Sequence, residues 1–232
     1  MKRVMALTLA FALTLALAGC SGGGSEIVLP PRVPTDPPPA APAPEPQQAD
    51  RYLVVGQTLL GMCTAQGVWQ PAAALPDGTR DWIVLGETVT RYEALPQGIP
   101  AGTLAVSGGE AEKLALHTGS AWEPASDLLY ALLRTLTGTE PLFDQPQVNL
   151  LASGDLLGDG TVARILAVRG SYGILVLEHN GDYSALPGCS EFLGAYRMEG
   201  RTLLLCGTAA GGLRLLSWNG QWETLLAADP EK

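Results

Sequence analysis

GDLLGDG (residues 154–160) runs into TVARILAV (161–168) and, past a glycine-bearing break, into ILVLEHNGDYSAL (174–186). Short apolar runs punctuated by glycine, aspartate and asparagine mark β-strands joined by turns. The dipeptide Asn180-Gly181 sets the local geometry. A two-residue type I′ hairpin requires positive φ at both central positions, which Asn and Gly adopt at low cost. This turn predicts antiparallel pairing with Glu178 opposite Tyr183. The same alternation of run and turn extends outward in both directions. Trp82–Leu85 and Thr202–Cys206 are further short runs, a turn at Met198-Glu199-Gly200 precedes the second of them, and Asn219-Gly220 predicts another tight hairpin with Ser217 opposite Trp222.

Four segments share one pattern: GMCTAQGVWQ (61–70), LALHTGSAWE (114–123), LVLEHNGDYS (175–184) and RLLSWNGQWE (214–223). Each has an approaching strand, a polar residue near a glycine, and then an aromatic: Trp69, Trp122, Tyr183 or Trp222. The expectation is a mostly all-β domain, an irregular propeller-like array of about four units of short antiparallel strands. A two-sheet sandwich or a barrel would suit the same spacing of strands. One helix interrupts them. SDLLYALLRTLT (126–137) starts with Ser126 as N-cap and Asp127 in the first turn, and Gly138 follows its end. Its stripe of Leu128, Leu129, Leu132, Leu133 and Leu136 is expected to pack on the sheets. Together with LVLEHNGDY, the 154–168 stretch resembles the repeat of FG-GAP-type β-propellers, most clearly over 148–226.

The start of the chain carries an address. Lys2 and Arg3 precede an apolar stretch, Val4–Ala18, that is too short for a confident membrane-spanning helix. Leu17-Ala18-Gly19-Cys20 resembles the lipobox of bacterial lipoproteins. That resemblance implies cleavage before Cys20, lipid on its sulfur, and attachment on the extracytoplasmic side of a membrane. Ser21 after the cysteine resembles the pattern of proteins sent to an outer membrane where the cell has one. Residues 1–19 then form the signal peptide, and 20–50 a Gly/Ser and Pro-rich tether whose PPRVPTDPPPAAPAPEP (30–46) has too few bulky apolar residues to offset the entropy of ordering. A single domain at 51–228, built of two related halves (about 51–125 and 148–228), and a tail at 229–232 complete the chain.

The formal charge is −9, about −11 once Lys2 and Arg3 are removed. An acidic chain without a basic cluster argues against nucleic acid and against direct contact with anionic headgroups. No nucleophile elbow, zinc-helix or phosphate-loop pattern is present, so no catalytic residue is assigned. Three cysteines follow Cys20, and Cys189 and Cys206 flank the turn at 198–200 closely enough to suggest a disulfide, with Cys63 left over. The propeller resemblance implies calcium at Asp155 and Asp159. Leu157 stands where a loop site needs an oxygen, so the residues themselves favour aspartates that shape a turn. His117 and His179 read as surface turn residues. Asp127, Asp144, Asp155, Asp159 and Asp182 could do acid–base work only if the fold brought two of them together. The leading functional expectation is a membrane-anchored, non-catalytic binding or scaffold module with an envelope protein partner. A cell-surface hydrolase and a calcium-dependent adhesion module are the alternatives.

Overall fold

The computed structural model describes residues 49–119, 121–137, 147–169 and 174–230. Cys20, residues 1–48, Gly138, Asp144 and the last two residues of the tail lie outside these. In chain order the elements are β1 (Arg51–Val55), β2 (Thr58–Cys63), β3 (Trp69–Gln70), β4 (Trp82–Leu85), β5 (Val89–Tyr92) and β6 (Leu104–Ser107). Next come β7 (Ala111–Lys113), β8 (Trp122–Pro124), α1 (Asp127–Thr137), β9 (Gln147–Gly154), β10 (Ala163–Arg169), β11 (Leu175–His179) and β12 (Asp182–Ala185). The last are β13 (Glu191–Met198), β14 (Arg201–Gly207), β15 (Leu213–Trp218) and β16 (Trp222–Ala228).

These strands form three antiparallel sheets, and none closes into a barrel. The first has the order β3-β2-β1-β6-β4-β5, the second β12-β11-β10-β9-β8 and the third β16-β15-β14-β13-β7. β9–β12 and β13–β16 are successive four-strand meanders. The all-β expectation holds, with three sheets where four aromatic-tipped segments suggested about four units. The reason lies in LALHTGSAWE, which is not a hairpin. The strand just before it, β7, pairs with β13, and Leu114 continues that contact by donating to the Ala195 carbonyl. Its end runs into β8, which pairs with β9, and His117 bridges Ser153 between them. The chain crosses here from the third sheet to the second.

Turn chemistry explains which hairpins came out in the expected register. Asn180 (φ 53°) and Gly181 (φ 85°) form the type I′ turn, and Glu178 pairs with Tyr183 as expected. At the other dipeptide only Gly220 (φ 96°) has positive φ. The loop takes in Gln221 as a third residue, so Trp222 faces Trp218 and Ser217 faces Glu223. The two indoles meet edge to face at 5.1 Å, a geometry worth about 0.5–1.5 kcal/mol beyond area burial. Trp222 Nε1 also donates to Ser184 Oγ at 3.1 Å, tying the third sheet to the second.

The third sheet lies between the other two. Along β14, Leu203 and Leu205 join Leu53, Leu85 and Val106 of the first sheet, while Leu204 and Cys206 join Ala163, Ile165 and Leu177 of the second. Period-two alternation sends neighbouring side chains to opposite faces, so an unbroken apolar run means both faces are covered. The outer face of the first sheet is covered by its own loops, with Leu75, Leu95 and Ile99 packed around the fully buried Trp82. The outer face of the second sheet receives α1. Ser126 Oγ accepts the Leu129 N–H at 3.2 Å as the N-cap, and Leu129 and Leu133 seat on Val168 and Val176. Leu128 points away, 59% exposed, so only part of the leucine stripe is core.

A polar latch joins the first and third sheets. Arg51 of β1 pairs with Glu199 in the turn between β13 and β14. Gly109 makes room for it, since a Cβ there would overlap the guanidinium. Glu199 has φ 53°, a conformation in which Asn or Gly is ordinary and glutamate is not. The ion pair offsets that local cost.

Leu204→Ala and Leu205→Ala open cavities on opposite faces of the same strand. Each is expected to lower unfolding free energy by about 2–5 kcal/mol in urea titration. Equal losses from the two variants are the signature of a strand buried on both faces, and a near-neutral result for either would contradict it. Glu199→Gln keeps the strained turn but removes the charge, and should cost about 1–2 kcal/mol by the same measurement.

Candidate functional site

Helix α1 is too short to cover the outer face of the second sheet. Beyond its N-terminal end an open cleft of about 620 Å³ remains, floored by Val148, Leu150 and Leu166 of β9 and β10. Its polar wall follows from register. Arg164 lies directly opposite Glu178 on β10 and β11, and Glu178 opposite Tyr183 on β12. Arg164 Nη1 is 3.4 Å from Glu178 Oε2, and Glu178 Oε1 accepts the Gly181 N–H of the tight turn at 3.2 Å. Tyr183 Oη and Ser126 Oγ are 3.2 Å apart, joining the hairpin to the helix cap. Glu123 of β8 and Val162, 64% exposed, complete the rim. An apolar floor with a few fixed polar groups is the usual makeup of a recognition surface.

The Asp155–Asp159 loop, between β9 and β10, packs toward the third sheet and is occupied with itself. Asp155 Oδ1 accepts the N–H groups of Gly158 (2.8 Å) and Gly160 (3.3 Å), and Oδ2 lies 3.6 Å from Arg197 Nη2. Asp159 Oδ1 accepts both the Thr161 N–H (2.9 Å) and the Thr161 hydroxyl (2.6 Å). Its Oδ2 is 3.1 Å from His179 Nε2. Both carboxylates shape turns. Among the described residues no three His, Cys, Asp or Glu side chains gather as metal ligands.

Asp159, His179 and Thr161 invite comparison with a catalytic triad, and the proton count argues against one. The Thr161 hydroxyl has one hydrogen, which goes to Asp159. His179 Nε2, which also contacts the Thr161 oxygen at 2.5 Å, must therefore carry its own hydrogen. Asn180 Nδ2 stands 3.2 Å from the same nitrogen, and an amide turned end for end offers its oxygen to that hydrogen, an assignment the network decides. A triad histidine instead uses one ring nitrogen for the nucleophile and the other for the acid. Here the acid and the hydroxyl share one nitrogen, so the arrangement is a clasp. The Thr161 hydroxyl and amide hold the Asp159 carboxyl below the ordinary carboxylate range, with His179 adding to the effect. A general acid needs the opposite shift.

The remaining sequence candidates scatter. His117 makes backbone bonds to Ser153, with its side chain exposed, so the two histidines do not share one role. Asp127 and Asp182 are exposed on the helix start and the hairpin. Cys63 is buried at the end of β2, where desolvation, then Glu199, pushes its thiol up. Cys189 and Cys206, by contrast, are brought together in the core between the second and third sheets, both as thiols. The sequence reading did not single out the cleft. Alternation along β10 (Arg164, Leu166, Val168) signalled that these residues share a face, but not how much of it the helix would leave uncovered.

The fold and cleft define a three-sheet all-β domain with one capping helix. No family model matches the chain, and no curated protein or solved structure matches it significantly.

Thr161→Val removes the hydroxyl but keeps the amide donor. The Asp159 carboxyl is then expected to titrate closer to the ordinary aspartate value, read from its side-chain carboxyl NMR signal against pH. A depressed folded-state pKa stabilises at neutral pH, and the contribution is lost as pH falls through that depressed value. The variant should lose less stability on acidification than the parent. An unchanged Asp159 titration would mean that the hydroxyl is not what holds it.

Proposed function

We propose that this chain is an exported lipoprotein held to the extracytoplasmic side of a membrane by lipid on Cys20. Its β domain serves as a non-catalytic binding module, and the cleft on the second sheet takes an envelope protein partner. Leu17-Ala18-Gly19-Cys20 behind a short apolar core carries the reading. Among the described residues no helix is long and apolar enough to cross a membrane, and two or three acyl chains suffice for stable attachment. The Pro-rich segment before Arg51 suits a spacer. Where the cell has two membranes, Ser21 favours the outer one.

Support for binding over catalysis comes from the polar groups themselves. The Asp159–Thr161–His179 clasp has its protons committed, and Arg164 and Glu178 neutralise each other at the cleft wall. The meanders β9–β12 and β13–β16 have the up-and-down order of propeller blades, in keeping with the resemblance to FG-GAP-type repeats, whose loops and rims suit partner contact.

The test has two arms. Labelling cells with an alkyne fatty acid should tag the parent chain, while Cys20→Ala abolishes the tag and releases the protein from the membrane pellet. A tag that survives Cys20→Ala would refute the anchor. In-cell crosslinking followed by mass spectrometry should recover a specific envelope protein with the parent. Arg164→Glu combined with Val162→Asp, both on exposed side chains, should reduce that recovery at least about 10-fold, roughly 1.4 kcal/mol, with the melting temperature kept. Undiminished recovery would place the contact elsewhere on the domain.

A further inference from the structure

Cys189 and Cys206 sit where the chain leaves the second sheet and enters the third. Cys189 belongs to the Pro187-Gly188-Cys189-Ser190 connection between β12 and β13, and Cys206 is near the end of β14. Their chain neighbours are bonded directly, the Ser190 N–H donating to the Gly207 carbonyl at 2.9 Å. Both thiols fall in one apolar cluster with Ala163, Leu204 and Leu216, 4% and 0% exposed. The Cys189 thiol donates to the Pro187 carbonyl at 3.5 Å. The two sulfurs also act on each other: Cys206 favours the Cys189 thiolate, and Cys189 together with burial pushes the Cys206 thiol up. Cys63 is on β2 of the first sheet, and the third sheet separates it from the face that Cys206 occupies.

We propose that Cys189 and Cys206 form an intramolecular disulfide, made by thiol–disulfide exchange with a disulfide-bearing oxidant of the compartment that receives the chain, and that Cys63 stays a thiol. The Cys189 thiolate attacks a sulfur of the oxidant's disulfide and releases one thiol. Cys206, losing its proton to solvent, then attacks the Cys189 sulfur and releases the second. Two S–H bonds are lost, one S–S bond forms, and the oxidant's disulfide becomes a dithiol. Cys189 is the entry point because it lies on a connection, whereas Cys206 is fixed within a strand buried on both faces. Burial of both sulfurs places the exchange during folding or a local opening of residues 186–190. The product staples the junction of the two meanders, closing a loop long enough that chain-entropy stabilisation is appreciable. In cells this rests on the export reading, because disulfides persist outside the reducing cytoplasm.

The first measurement uses the full chain with Cys20→Ala, purified reduced, unfolded, and refolded in an oxidised/reduced glutathione buffer. Alkylation under denaturing conditions and peptide mass spectrometry should find the Cys189 and Cys206 peptides joined, two hydrogens lighter, and Cys63 alkylated. Reduction should lower the melting temperature by roughly 5–10 °C, and Cys189→Ala should remove that sensitivity to reductant. Joining through Cys63, or full alkylation of all three cysteines, overturns the pairing. The second measurement repeats the mapping on protein recovered from the cell envelope. A disulfide in both supports the inference. A disulfide after refolding but thiols in the cell supports the pairing and counts against export.

Discussion

β14 is apolar on both faces, and that one strand requires a sheet on either side of it. A side chain such as Leu203, Leu204 or Leu205 stabilises the fold by about 1.5–3 kcal/mol when removed from water, so neither face can be left exposed without a large loss. The first sheet answers the Leu203 and Leu205 side, and the second sheet the Leu204 and Cys206 side. The rest follows outward from the middle layer. The outer face of the first sheet is closed by its own loops around Trp82, and that of the second by α1. Each covering element is less complete than the layer beneath it, so the last face is left partly open as the cleft.

Polar groups fix how these layers are aligned. Apolar burial is non-directional, so it brings sheets together without setting their register. Arg51 reaching Glu199, and Trp222 donating to Ser184, supply direction at two different interfaces. The Glu199 turn illustrates the order of priorities. The locally preferred residue at that φ would be asparagine or glycine, and the glutamate is accommodated because its carboxylate is needed across the sheets. The Asp155 and Asp159 loop behaves in the opposite way. Its aspartates satisfy backbone amides a few residues away.

Local signals were readable where one short-range requirement dominated. Asn180-Gly181 supplies both positive φ angles, and the pairing of Glu178 with Tyr183 follows from the turn alone. Ser126 as a helix cap and the limits of β4 are equally local. Legibility failed where a distant partner competed with the local preference. Asn219-Gly220 resembles its counterpart in sequence, yet Trp222 pairs with Trp218 and the loop admits Gln221. LALHTGSAWE matches the hairpin pattern and is a crossover, because its two ends are claimed by strands β13 and β9, which lie later in the chain. The cleft was hidden for a related reason: its floor is ordinary strand sequence, and its opening depends on where a helix stops.

The amino-acid sequence by itself determined strands, turns, the helix and an N-terminal stretch resembling a lipobox, since each depends on periodicity, φ preference or the order of adjacent residues. Only the tertiary structure decided that the sheets number three, that the third lies between the others, and that Cys189 meets Cys206 while Cys63 stands apart. Those outcomes depend on which apolar faces cover which. That choice is made by area and fit between segments far apart in the chain, and no short stretch of sequence contains both partners.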